Sequence, residues 1–124
     1  MTGLLLSDDL LFASRITATA RAHGLTVAVA RSPARLVELA AASPPGSVIL
    51  DLQHPGLDLP ALLAELRVAC PVPPRVMGYG SHVDAAALKA AQAAGVDPVL
   101  PRSKFAAMLE VSLPGWLTPA NGDQ

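Results

Sequence analysis

Short apolar runs alternate with stretches of helical period five times along this chain, and few folds can satisfy that pattern. Residues 4–7 read as a first strand, and residues 9–23 as a helix with Leu11, Phe12, Ile16 and Ala20 on its inner side. Gly24 closes that helix, as suits a residue free to adopt positive φ. Residues 26–30 form a second strand, after which Ser32-Pro33 supplies an N-cap and a proline at the first helical position. Leu36, Val37, Leu39 and Ala40 give the second helix its apolar stripe, which Ser43-Pro44-Pro45-Gly46 ends. A third strand, residues 48–50, runs into Asp51, and a loop through Pro55-Gly56 leads to a helix at 60–69. Residues 75–79 read as strand four, 84–94 as helix four and Val99-Leu100 as the core of strand five. Ser103 is then placed to cap a last helix carrying Phe105, Met108 and Leu109.

Strands that are apolar without alternation belong to a parallel sheet covered on both faces. Regular βα alternation with short connections makes a right-handed, doubly wound α/β fold, here a five-stranded parallel sheet in a three-layer α/β/α sandwich. Periodicity leaves the strand order open. A chain of 124 residues suits one domain, expected at 1–113 and followed by a tail at 114–124. Two prolines, two glycines and little periodicity predict a mobile tail, with Trp116 the residue able to fold back on the body.

Although 52% of the residues are apolar, no apolar run is long enough to cross a bilayer, so no membrane association is expected. The opening Met1-Thr2-Gly3-Leu4-Leu5-Leu6 lacks a basic segment and a small-residue cleavage site, so the expected location is cytoplasmic. A net charge of −1 offers no basic stripe for nucleic acid. The lone Cys70 has no partner at metal-ligand spacing and reads as a small packing residue.

In open parallel sheets, ligands bind beyond the carboxyl ends of the strands. Asp8 and Asp9 follow strand one and Asp51 ends strand three, so adjacency of these strands would bring three carboxylates together. Such a cluster is costly unless a cation or a shared proton relieves the repulsion, and hard oxygen ligands suit Mg²⁺. Asp8 or Asp9 taken singly reads equally well as the N-cap of helix one, so the convergence carries the inference.

These residues resemble the receiver domain of bacterial response regulators. Leu4-Leu5-Leu6-Ser7-Asp8-Asp9 is similar to the receiver's first strand and acidic pair. Residues 48–58 resemble the strand, phosphoacceptor and following loop, with Pro55-Gly56 and the later Asp58, and Ala94-Gly95-Val96-Asp97 resembles the end of helix four. The resemblance spans residues 3 to 112 and implies a flavodoxin-like sheet of order 2-1-3-4-5. It also implies Asp51 as phosphoacceptor, and Mg²⁺ held by Asp8, Asp9, Asp51 and the Gln53 backbone carbonyl. The implied partners are a sensor histidine kinase or a downstream signalling protein, with a homodimer through the helix 4–strand 5–helix 5 face.

The switch positions depart from the family pattern. The strand-four hydroxyl falls on Tyr79, with Ser81 as a substitute two residues on, and the strand-five aromatic falls on Val99. The family's lysine becomes Arg102, which keeps the charge but presents a planar fork. The proline after it becomes Ser103, which removes the reason for a cis bond. Gly78-Tyr79-Gly80 is only a fragment of a dinucleotide fingerprint, and Gln53 stands where a cobalamin carrier would need histidine. His54 reads as an exposed loop residue, His82 as a polar residue ahead of Asp84, and His23 as a helix-end residue.

The expected function is a stand-alone receiver-like signalling domain of a two-component pathway, not an enzyme, acting by docking with divergent switch residues around Asp51. Its alternatives are a phosphorylation-independent pseudo-receiver and a small Mg²⁺-dependent phosphotransfer or hydrolytic enzyme.

Overall fold

The computed structural model describes residues 2–118 and contains five strands and five helices in strict alternation. β1 (Thr2–Leu6), β2 (Thr26–Ala30), β3 (Ser47–Asp51), β4 (Arg75–Gly80) and β5 (Val99–Pro101) form one parallel sheet in the order β2-β1-β3-β4-β5. The helices are α1 (Leu10–Ala22), α2 (Pro33–Ala42), α3 (Leu59–Ala69), α4 (Ala85–Ala93) and α5 (Arg102–Leu117). The doubly wound sheet and its strand order are those expected.

Side chains alternate along each strand and build a core on either face. Leu5, Ile49, Met77 and Tyr79 pack under α1 and α5 with Phe12, Ile16, Phe105, Leu109 and Trp116. Leu4, Leu6, Val48 and Leu50 point the other way, onto Leu36 and Ala40 of α2 and Leu62 and Leu66 of α3. A smaller cluster of Leu63, Ala91 and Val96 seats α4. Since both faces are covered, every residue of β3 is buried, which explains why its sequence shows no alternation.

The helix starts follow local chemistry. Asp9, Ser32, Asp58 and Asp84 each accept a backbone N–H three residues on, from Phe12, Arg35, Ala61 and Ala87. Gly24, at φ +75°, takes the left-handed turn after α1, which a side chain would strain. Two expectations about the helices fail. Leu11 is 87% exposed, because the inner face of α1 is carried by Phe12, Ala13, Ile16 and Ala20 instead. Ser103 does not cap α5, whose cap position is Pro101, two residues earlier, with no side-chain cap.

The last helix is longer than expected. α5 does not stop at residue 113 but runs through Pro114 to Leu117, so the expected tail at 114–124 begins as helix. Residues 119–124 lie outside the described residues. A proline inside a helix costs about 3 kcal/mol, whereas burying a large apolar side chain returns about 1.5–3 kcal/mol each. Leu113, Trp116 and Leu117 are all buried, and together they outweigh the missing bond. Trp116 stacks on Phe105 at 5.0 Å between centroids, and its carbonyl accepts the buried Ser47 hydroxyl at 3.0 Å. Leu117 lies so close to β1 that a Cβ at Gly3 would come within 2.9 Å of it.

Trp116→Ala removes the stacked ring and leaves a cavity at the bottom of the α5 core. We expect a loss of roughly 3–5 kcal/mol in urea unfolding followed by circular dichroism. A loss under about 1 kcal/mol would place Trp116 outside the cooperative core.

Candidate functional site

Parallel pairing aligns Leu6 with Leu50 and Asp51 with Tyr79, so the next row beyond β1 sets Ser7, Asp51 and Tyr79 side by side. By strand alternation all three face the α1–α5 side, at the carboxyl edge of the sheet. Asp8 and Asp9 occupy the turn from β1 into α1, and Arg102 opens α5 directly after β5. Residues from four separated stretches of sequence are thereby brought to one rim.

Each carboxylate there already has a partner. Phe12 N–H donates to Asp9 Oδ1 at 3.1 Å, and the Arg102 guanidinium donates to Asp9 Oδ2. The Phe12 amide first, and then Arg102, hold the Asp9 carboxyl below its usual range. Asp8 is half-exposed and pairs with Arg31 at 3.5 Å, across the turn after β2. Asp51 is buried, and its Oδ1 accepts the Gln53 N–H at 2.9 Å.

Whether these residues fit Mg²⁺ is decided by that engagement. A metal needs several oxygens free to turn toward one point. Each Asp9 oxygen already accepts a hydrogen bond, one from a helix amide and one from a guanidinium, and Asp8 leans to Arg31 at the rim. Among the described residues no three Asp, Glu, His or Cys side chains gather as a ligand set. Beside the expected ligands Asp8, Asp9, Asp51 and the Gln53 carbonyl, two arginines supply positive charge, Arg102 to Asp9 and Arg31 to Asp8.

The residues at the expected switch positions are held in different ways. Tyr79 is fully buried, edge-on to Phe12 at 4.9 Å and tilted against Phe105 at 4.9 Å. Its hydroxyl is buried without a hydrogen-bond partner. Ser7 stands beside it, but the Ser7 hydroxyl serves the Asp9 backbone, donating to the carbonyl at 3.3 Å and accepting the N–H at 3.1 Å. Burial, and then the Asp51 charge, push the phenol far above its ordinary value, so it stays neutral. Ser81 accepts the Val83 N–H at 3.3 Å and so shapes the β4–α4 loop. Val99 packs toward the α4 cluster, and Ser103 is exposed in the first turn of α5.

His54 is the residue that the sequence reading misplaced. It is buried, its Nε2 lies 2.7 Å from the Arg31 carbonyl, and its Nδ1 accepts the Gly56 N–H at 3.1 Å. With Nδ1 accepting, the proton belongs on Nε2, which donates to Arg31. The imidazole thus ties the β3–α3 loop to the β2–α2 loop, the same loop whose Arg31 side chain pairs with Asp8. The signal available was its position three residues after Asp51, within a turn closed by Pro55-Gly56.

Two substitutions test these contacts. His54→Ala strands the Arg31 carbonyl and the Gly56 amide in a buried loop, and we expect a loss of about 1–3 kcal/mol in denaturant unfolding. Asp9 has a lower pKa folded than unfolded, so its contribution is present above about pH 4 and disappears as the pH falls through the folded value. Asp9→Asn should therefore lower the urea midpoint near neutral pH, with the gap from wild type closing in acid. A gap that persists or widens in acid would show that the ionised carboxylate contributes nothing.

No family model and no curated protein matches the sequence. Solved structures do. The receiver domain of a response regulator from Clostridium thermocellum is similar at a TM-score of 0.76 and 19% identity, covering 94% of this chain and 93% of that one. The receiver domain of Francisella response regulator 1452 matches at 0.76 and 19%, covering 94% and 95%. A LuxR-family DNA-binding response regulator from Staphylococcus aureus matches at 0.76 and 18%, covering 94% and 98%. The chain has the fold of a response regulator receiver domain.

Proposed function

We propose that this chain is a receiver-like signalling domain that acts in the cytoplasm by docking to a partner protein, and that its docking does not require phosphoryl transfer to Asp51. Tyr79 carries the reading. Asp51, at the end of β3, is the candidate phosphoacceptor, but a phosphoryl group there needs a hydroxyl that can move to its oxygens. The phenol at that place is wholly buried between Phe12 and Phe105. The hydroxyl two residues on, Ser81, accepts the Val83 N–H of its own loop. Val99 has no ring to swing. A ligand shifts a conformational equilibrium only by its differential affinity for the two states, and here a phosphoryl group has few ways to tell them apart.

The surface best suited to docking is the face of α4, β5 and α5. Of the α4 residues only Ala91 is buried, which leaves Ala86, Ala90 and Ala93 exposed for close approach of another helix. β5 is a three-residue edge strand, and each of its residues is half-buried. A sensor histidine kinase, a downstream signalling protein or a second copy of the chain would all meet the domain there.

Two measurements test the proposal. Amide spectra of wild type and Asp51→Asn with beryllofluoride, a phosphoryl mimic, and Mg²⁺ should match beyond the pocket. Large shifts reaching β5 and α5 in wild type alone would establish a working phospho-switch and overturn the reading. Ala86→Glu with Ala90→Glu should weaken self-association in analytical ultracentrifugation by about tenfold, the order expected when charge enters a packed interface. Association left intact by both charges would move the docking face elsewhere.

A further inference from the structure

We infer that this pocket has exchanged a divalent ion for an internal cation, the Arg102 guanidinium, so that the domain holds its acidic edge together without Mg²⁺. The inference stands on the pocket's geometry and is independent of the docking role.

Carboxylates gathered at one sheet edge repel one another, and something positive must lie among them. Arg102 meets that need from a fixed root. It is the first residue of α5, and Phe105, three residues on, is fully buried against Tyr79 and Trp116. The guanidinium is then held in two ways at once. Its Nη2 donates to Asp9, while its central carbon lies 4.4 Å from the Phe12 ring centroid and 5.9 Å from that of Tyr79. A planar cation can stack on an aromatic face and bond a carboxylate with its edge, which a compact, strongly hydrated ammonium does less well. The departure from lysine and the burial of an aromatic at Tyr79 therefore belong to one arrangement.

Arg31 does the same for Asp8 at the outer rim. With both pairs made, the carboxylate left without a cation is Asp51, and its Oδ1 already accepts the Gln53 amide. Mg²⁺ sheds its waters reluctantly and needs several negative oxygens in compensation, so one remaining carboxylate beside a guanidinium binds it poorly. Metal and arginine compete for the same Asp9 oxygen. Removing the arginine should open the site.

The experiment is a Mg²⁺ titration followed by amide spectra of wild type, Arg102→Gln and Arg102→Gln with Asp9→Asn. The highest concentration is about ten times the ~1 mM dissociation constant of weak all-oxygen sites. In wild type, the amides of Asp8, Asp9, Asp51 and Gln53 should not move. In Arg102→Gln the same amides should shift and saturate, with affinity at least about tenfold above wild type, and the double variant should lose the response. Saturable shifts at these amides in wild type would overturn the inference while leaving the docking proposal standing. A folded Arg102→Gln that ignores Mg²⁺ would overturn it equally, since the arginine would then not be what excludes the metal. If Arg102→Gln fails to fold, Arg102→Lys replaces it. This variant keeps a charge but loses the fork and the stacking, and it should show a weaker response of the same kind. No response in folded Arg102→Lys would then count against the inference.

Discussion

Arg102 stands where the sheet edge, α1 and α5 meet, and the arrangement of the rim follows from where its charge goes. The guanidinium pins the start of α5 to the start of α1 through Asp9, which is itself the N-cap of α1. Its face covers Phe12, whose ring in turn meets Tyr79 and Phe105. A polar clamp and an aromatic cluster thus share one residue. Neither would be stable alone at a surface, because an exposed ion pair is worth at most about 1 kcal/mol. Joined to a packed ring cluster, the pair loses less freedom on forming, and the rings gain a cap against water.

The aromatic chain extends this coupling through the domain. Phe12, Tyr79, Phe105 and Trp116 follow one another at centroid separations of 4.9 to 5.0 Å, from the pocket rim to the opposite end of α5. Trp116 then fastens that end to β3 through the Ser47 hydroxyl. The Tyr79 ring packs on two others, and its hydroxyl lies beside Ser7 at the carboxyl edge of the sheet. An outward movement of Tyr79 would have to break that packing.

Much of the fold was legible in the chain because parallel strands buried on both faces leave a short, local record. Four helix starts were marked by Asp or Ser, and Gly24 marked an end. The failures share a cause. Leu11 looked like an inner residue because apolar character is intrinsic, whereas the direction of a helix face is set by the sheet beneath it. Pro114 looked like an end because its local cost is certain, while the burial of Trp116 and Leu117 against β1 and β3 depends on contacts far away in sequence.

The candidate site divides along the same line. The sequence alone determined that Asp8, Asp9 and Asp51 would reach one edge of a parallel sheet, since strand ends and their alternation are local properties. Only the resemblance to receiver domains singled out Tyr79, Val99, Arg102 and Ser103 as departures from that pattern. Only the tertiary structure decided what the carboxylates do once there. Asp9 meets Arg102 across 93 residues of chain, and His54 meets the Arg31 carbonyl across 23. Such pairings depend on which loops the closed sheet brings together, and a charged side chain carries no local record of the partner that will neutralise it.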